Sequence, residues 1–336
     1  MTSNGDDAVK VVPVRHYSRW AGTFVVLILL AMLIHTIFSK IGTGINICVR
    51  THGLRHCHQP QRWRFYWNVV FHFFTSSDVI HGLYVTLELT VAAMTIGIVL
   101  GVILAVMRRS QSRLLSSTAW TYTWFFRGTP VLVQLLFWFN IAALYKTITI
   151  GLPFLPVTFV HLNVLSILNP FRSAVLALGL NEAAYMSEIA RAGLLAVDEG
   201  QIEAATSIGM TRIQSLRLVV LPQAMRVIIP PTGNEVISML KTTSLVSVVG
   251  VTDLLAAVTN ISAVNFLTMA LLIVASIWYL IVTTILSIGQ FYLERHYAKG
   301  ALRNPPPTPI QRLRGDLKGV ASKYRTKRGV PAEVPT

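Results

Sequence analysis

Apolar residues in this chain gather in long, nearly unbroken runs, and arginines, lysines and prolines stand at the ends of those runs. The first run, Ala21 to Phe38, is long enough to cross the roughly 30 Å hydrocarbon layer of a bilayer. Lys10, Arg15 and Arg19 precede it, as in a signal peptide. Phe38, Ser39 and Lys40 form no small-residue cleavage site, so the run is expected as an uncleaved anchor. Trp63 to Phe74 is apolar and aromatic but too short to span, and Trp63, Tyr66 and Trp67 suit the membrane interface. Val85 to Met107 predicts a second span, ended by Arg108, Arg109 and Arg113. Gly97 and Gly101 share one face of it, through close helix packing or through chance spacing. A third span is expected from Thr118 to Tyr145, interrupted at Arg127, Gly128, Thr129 and Pro130. A fourth covers Phe171 to Val197, a fifth is broken at Pro230, Pro231 and Gly233, and a last runs from Phe266 to Phe291. The pattern predicts an all-α membrane protein with about six transmembrane helices.

Composition agrees. Of the 336 residues, 53% are hydrophobic and 13% charged, where a soluble domain carries about 25% charged residues. The net charge of +15 raises nucleic-acid binding. Its placement argues against that partner, because Lys and Arg cluster at the ends of apolar runs and between Arg295 and Arg328, as cytoplasmic retention of positive charge requires. Aromatic residues do not alternate with the basic ones, as they do on single-strand binding surfaces. If Arg108 and Arg109 are cytoplasmic, the loop around Gly151 is outside, and the polar stretch from Asp198 to Arg217 and both termini are inside. Arg50, Arg55, Arg62 and Arg64 lie in the outer loop, against the rule; Arg62 and Arg64 can snorkel from the interface. Cys48 and Cys57 are candidates for one disulfide. His52, His56 and His58 lie among them, but the spacing fits no zinc signature, and no metal site is expected. No arrangement pairs a nucleophile with a base, so no catalytic residue is assigned. The tail, with Pro305, Pro306, Pro307 and Pro309, is expected to be disordered.

The polar stretch carries strong local signals. Asp198 and Gln201 have capping-box spacing, flanked by Val197 and Ile202 at the positions of a hydrophobic staple. A helix is expected from Glu199 to Ile208, stopped by a left-handed Gly209, with Thr211 and Gln214 capping the next helix. Small Ala204 and Ala205 would let another protein approach the backbone, and Glu203 offers a charge. The same features also suit an ordinary connector between spans.

Glu203-Ala204-Ala205, three residues, Gly209, nine residues, Val219, one residue and Leu221-Pro222 resemble the cytoplasmic loop motif of ABC importer permeases, which usually has isoleucine at the Val219 position. Ala184-Tyr185, Glu188-Ile189, Arg191, Gly193, Gly200-Gln201, Gln223-Ala224, Arg226, Pro230 and Asn234 narrow the resemblance to the polar amino acid permeases of the histidine/glutamine/arginine type. So do Arg127-Gly128-Thr129-Pro130 and Lys241 with Thr243-Ser244-Leu245. Thr242 stands where that family often has an acidic residue. The resemblance spans roughly Gly82 to Glu294.

It implies a five-helix permease core, residues 78–296, and does not cover what flanks it: the apolar and charge pattern predicts a cytoplasmic N-terminus (1–19), an extra anchor helix (20–39), an extracytoplasmic loop with an interfacial helix (40–77) and a basic tail (297–336). Within the core, residues 198–222 would form the coupling loop, with Gln201, Glu203, Ala204, Ala205, Gly209, Leu221 and Pro222 meeting the ATPase. Implied partners are two ATP-binding subunits, a second permease (identical or homologous) and an extracytoplasmic solute-binding protein, in a bacterial inner membrane. No glycine is followed directly by lysine, so the chain has no P-loop. It is expected to bind no cofactor and catalyse nothing, with ATP and Mg on the partner.

Ionisable and polar residues inside spans are candidates for a substrate path: Glu88, Arg127, Glu182, Tyr185, Glu188, Asn234 and Lys241. Glu188 can instead pair with Arg191 along one helix face. The Pro230–Asn234 break can line a water-filled path or be a kink between packed half-helices. The competing function is a stand-alone secondary transporter or channel for a small polar solute.

Overall fold

The computed structural model describes residues 26–32, 34–35, 47–51, 54–58, 66–144, 147–151, 158–164 and 168–297. The N-terminal segment, both ends of the anchor, Trp63 and the tail from Ala298 lie outside the described residues. Residues 26–32 and 34–35 are helical. The chain divides into two units, Met1–Gly82 with Leu254–Ile277, and Leu83–Asp253 with Trp278–Thr336.

The architecture is mainly helical. The all-α expectation omitted two short antiparallel hairpins, β1 (Ile47–Thr51) with β2 (Leu54–His58), and β3 (Thr147–Gly151) with β4 (Thr158–Asn163). Their β-branched residues, as in Thr147-Ile148-Thr149-Ile150, favour extended pairing. The register sets Cys48 opposite Cys57.

The first unit holds β1 and β2, a short helix α1 (Trp67–Phe74), the first turns of α2 (Ser77–Arg108), then α9 (Leu254–Asn265) and the first turns of α10 (Thr268–Tyr297). The second holds the rest of α2, then α3 (Arg113–Gly128), α4 (Val131–Leu144), α5 (Pro170–Leu195), α6 (Glu199–Ser207), α7 (Arg212–Ser215) and α8 (Leu221–Thr242). A 3₁₀ segment, Thr243–Val249, ends α8, and α10 continues from Trp278.

Among the described residues, α2 and α10 are each long and apolar enough to cross a membrane alone; Arg212–Val249 and Leu254–Asn265 qualify only when taken together. Val91, Val99, Ile103 and Val106 lie exposed on α2. An outward surface this apolar suits lipid rather than water. The expected third span is two helices, α3 and α4, separated at Thr129 and Pro130.

The core of the second unit forms around α5. Leu89, Ala93, Met94, Leu135, Ala174, Ala177, Leu178, Met186 and Met239 make one buried cluster. Small residues on α5 admit close neighbours, as in membrane helix interfaces. Gly97 and Gly101 are packing positions: a Cβ on Gly97 would lie 2.5 Å from Glu182 Cγ, and one on Gly101 2.5 Å from Met186 Cβ. From the other side, a Cβ on Gly179 would lie 2.9 Å from Ile96 Cβ.

The fifth span is not broken at its prolines. Helix α8 runs through Pro230 and Pro231. Each proline removes a backbone donor, but the proline φ is itself helical, and tertiary contacts hold the segment. Gly233 has no side chain, which leaves room for Gln290, whose Nε2 donates to Pro230 O (3.2 Å) and Asn234 Oδ1 (3.0 Å).

A larger residue at Gly101 should force α2 and α5 apart. Gly101→Leu is expected to cost on the order of 1–3 kcal/mol, the usual penalty of overpacking. Gly289→Leu, where a Cβ would meet nothing within 4 Å, is the control. Thermal unfolding of the two purified variants reads the difference.

Candidate functional site

The first site forms where Pro130 interrupts the α3–α4 connection. In a continuous helix, residue 130 would donate its N–H to Phe126 O, and proline has none. Two side-chain amides take over. Gln134 Nε2 and Asn181 Nδ2 each donate to Phe126 O at 2.9 Å. Gln134 Nε2 also donates to Thr129 Oγ1 (2.7 Å), and Asn181 Nδ2 to Gln134 Oε1 (3.2 Å). A loop inside a membrane must satisfy its backbone groups this way. The network ties α4 to α5 and sets one wall of a cavity.

That cavity has a volume of about 490 Å³ and is lined by Arg127, Thr129, Pro130, Asn181, Glu182, Tyr185, Glu235, Ser238 and Thr242, among others. Its size suits a small molecule. The Arg127 guanidinium carbon sits 5.4 Å from the centre of the Tyr185 ring, a cation–π arrangement. Glu182 is 3% exposed, and its Oε1 has no hydrogen-bond partner among the described residues. Burying an unpaired carboxyl is costly, so the cavity presents an unused polar valence.

Of the residues singled out for a substrate path, the structure brings Arg127, Glu182 and Tyr185 together here. The others do not line it, although Glu188 shares an adjoining cavity with Arg127 and Tyr185. Glu188 pairs with Arg191 at 2.6 Å. Asn234 bonds Gln290, and Glu88 and Lys241 are exposed on α2 and α8. Sequence reasoning missed Glu235, Ser238 and Gln134. Glu235, Ser238 and Thr242 recur at one helical face, and a carboxylate in that stretch was the available signal. Gln134 stood alone in an apolar run.

The second site is the Asp198–Pro222 stretch. Asp198 caps α6 by accepting from Gly200 N (2.9 Å). Its expected capping box does not form, because Gln201 is turned to Gln223, whose Nε2 donates to Gln201 Oε1 at 3.4 Å. Val197 and Ile202 join Val220 and Ala224 in one apolar cluster. Helix α6 ends in a left-handed Gly209 (φ 80°), with Gly209 N donating to Thr206 O (3.0 Å) and Met210 N to Ala205 O (3.1 Å). This is the two-bond glycine stop. Thr211 and Gln214 form the reciprocal capping box of α7. The next turn, Leu216–Val220, is a π-helix that carries the chain into α8. Pro222 lacks the donor that would close the regular turn onto Leu218 O, which favours the wider one.

Ala205 does not face outward: it is 4% exposed and packs inside the chain. Gln201, Glu203, Ala204, Gly209, Leu221 and Pro222 are exposed. Ile208 and Ile213, 75% and 77% exposed, flank the Gly209 turn and were not anticipated. Two large apolar side chains on a polar loop tip mark a contact surface.

An apolar outer surface, a helical core and a charged cavity define an integral helical membrane protein with a polar compartment. Comparison with known proteins narrows the class. Residues 97–299 match the family of binding-protein-dependent transport system inner membrane components. The chain is 41% identical over 297 residues to an arginine transport system permease protein of Corynebacterium glutamicum, covering 88% of this chain and 85% of that protein. This alignment is longer than the Gly82–Glu294 stretch. An L-cystine transport system permease protein of Bacillus subtilis is 40% identical over 215 residues, 64% of this chain and 84% of that protein. A solved amino acid ABC transporter, determined with histidines, is 35% identical, with a TM-score of 0.58 over 69% of this chain and 98% of that one. The chain belongs to the binding-protein-dependent transport permeases. It is a membrane permease component, and the stand-alone transporter or channel reading is not favoured.

Replacing Gln134 with leucine should leave the Thr129 side chain without its donor and Phe126 O with one amide donor fewer. Gln134→Leu is expected to lose about 1–3 kcal/mol of stability, the cost of a buried unsatisfied group. Thermal unfolding checks it, and Gln134→Glu, which keeps the size but loses the amide donor, should fall with it.

Proposed function

We propose that this chain is the transmembrane subunit of an ATP-driven importer of polar amino acids. It works with two ATP-binding subunits, a second permease (identical or homologous) and an extracytoplasmic solute-binding protein. The importer sits in a bacterial inner membrane, with both termini of this chain cytoplasmic. Its membrane domain has about six helices, a five-helix core behind one anchor. ATP and Mg belong to the partner subunits.

The observation that carries the proposal is the rigid α6–Gly209–α7 element. Caps at Asp198 and Thr211 and the glycine stop hold its shape, and the π-turn joins it to α8 without a loop. Movement of a docked ATPase is thereby passed to α8, which lines the charged cavity through Glu235, Ser238 and Thr242. Rocking of the helices then alternates access to that cavity. Gln201, Glu203, Ala204, Gly209, Leu221 and Pro222 supply the dock, with Ile208 and Ile213 added to them, and Ala205 supports it from inside. Arg127, Glu182, Tyr185 and Glu235 line the path; an amino acid brings a carboxylate for the guanidinium and an ammonium for the carboxylates. The names of the arginine and L-cystine permeases among the relatives support an amino acid as cargo.

A β-branched residue at φ 80° is a backbone outlier. Gly209→Val should therefore insert normally but lose ATPase co-purification and most ATP-driven uptake in vesicles. Glu182→Gln should keep the ATPase and lose uptake. Normal co-purification and uptake by Gly209→Val would sink the docking role, and normal uptake by Glu182→Gln the path. We also propose that Cys48 and Cys57, opposite each other in register, form a disulfide outside the cytoplasm. Thiol titration of the purified, unfolded chain should then find two new thiols after reduction, and none before.

A further inference from the structure

A second charged cavity lies at the C-terminal end of α2 and shares no lining residue with the path cavity. It has a volume of about 520 Å³ and is lined by Arg108, Arg109, Ser116, Ser117, Trp120 and Arg191, with one leucine. Three guanidinium groups and two hydroxyls meet there, and no carboxylate lines it. Glu188 comes nearest. It shares an adjoining cavity with Arg108 and Trp120, and with Arg127 and Tyr185 of the path, but its carboxylate is taken by Arg191 Nε (2.9 Å) and Nη2 (2.6 Å). Among the described residues, neither Arg108 nor Arg109 has a carboxylate partner within ion-pair distance. Neighbouring guanidinium groups repel unless an anion lies between them.

Depth decides which anion. Helix α2 has 32 residues and is therefore about 48 Å long, against a hydrocarbon layer of roughly 30 Å. A helix that crosses this layer carries its end, here Arg108 with Arg109 just beyond it, to the level of the lipid headgroups. Just before that end, Val102, Ile103 and Val106 are exposed, an apolar surface for an acyl chain. Beside the cavity, Trp120 and Trp124 stack with ring centres 6.1 Å apart, and both are more than half exposed. Exposed indoles of this kind sit at the membrane interface. A soluble anion would use only the cations, whereas a lipid uses the cations, the indoles and the apolar surface together.

We propose that the Arg108–Arg109–Arg191 cavity binds the phosphate headgroup of an anionic phospholipid, clamping the α2–α3 turn to the end of α5. The shared chemistry is a phosphate anion held by arginines and the Ser117 hydroxyl, the Ser116 hydroxyl being given to Arg108 O (3.2 Å).

The test uses the full chain, purified in detergent with its accompanying subunits. It is incubated with equal amounts of phosphatidylglycerol and phosphatidylcholine, and retained lipid is counted by native mass spectrometry. Wild type should retain phosphatidylglycerol in clear excess, and each arginine removed should lower that preference roughly five-fold. Arg109→Gln, an exposed position, and the double variant Arg108→Gln with Arg109→Gln report the loss. Arg226→Gln, an exposed arginine on α8 outside this cavity, should leave retention unchanged. A further arm adds millimolar inorganic phosphate. Failure of phosphate to displace the lipid supports the headgroup site, and full displacement would show a soluble-anion site instead. Equal retention of both lipids by wild type, or equal loss in Arg226→Gln, would overturn the proposal. If the double variant elutes as aggregate, Arg109→Gln alone decides.

Discussion

The close contact between α2 and α5 is the constraint on which the second unit depends. Lipid supplies no hydrophobic force between helices, so association rests on packing and hydrogen bonds. Gly97, Gly101 and Gly179 remove the side chains that would keep the two backbones apart. With a side chain at Gly97, the Glu182 stem would have no space to lie against α2. The buried carboxyl, and the cavity it lines, are consequences of three missing side chains.

Around that contact, the gap that Pro130 makes in backbone bonding is filled by side-chain amides. Pro130 frees Phe126 O, and Gln134 and Asn181 take it. Pro230 and Pro231 sit inside α8, and Gln290 from α10 reaches over Gly233 to Pro230 O and the Asn234 side chain, holding the proline-bearing segment from outside. Each polar side chain costs free energy in an apolar setting and is offset by satisfying a backbone group that would cost more if left bare. The same amides cross-link helices. Thus the positions that weaken single helices are the ones that connect neighbouring helices, which suits a membrane domain that has to move as packed bodies.

The membrane character, the two long apolar helices α2 and α10 and the helix–Gly209–helix element were legible in the residues. Long apolar runs are contiguous in sequence, and caps act over three or four residues, so both are local. The staple of Val197 and Ile202, the glycine stop and the Thr211 box have their partners within one or two turns. The Asp198 box failed because Gln201 found a partner, Gln223, twenty-two positions away. The two hairpins were missed because short β-branched stretches between apolar runs have no helical period to contradict.

By itself, the sequence determined what each segment is: apolar enough for lipid, capped, stopped or interrupted. Tertiary structure decided which side chains meet. It kept α8 continuous through two prolines, turned Ala205 inward, gave Asn234 to Gln290, and joined Arg127, Glu182 and Tyr185 with the overlooked Glu235. The reason is physical. A cap or a stop depends on neighbours a few residues apart, whereas a cavity between α3, α5 and α8 depends on the angles and offsets at which those helices pack.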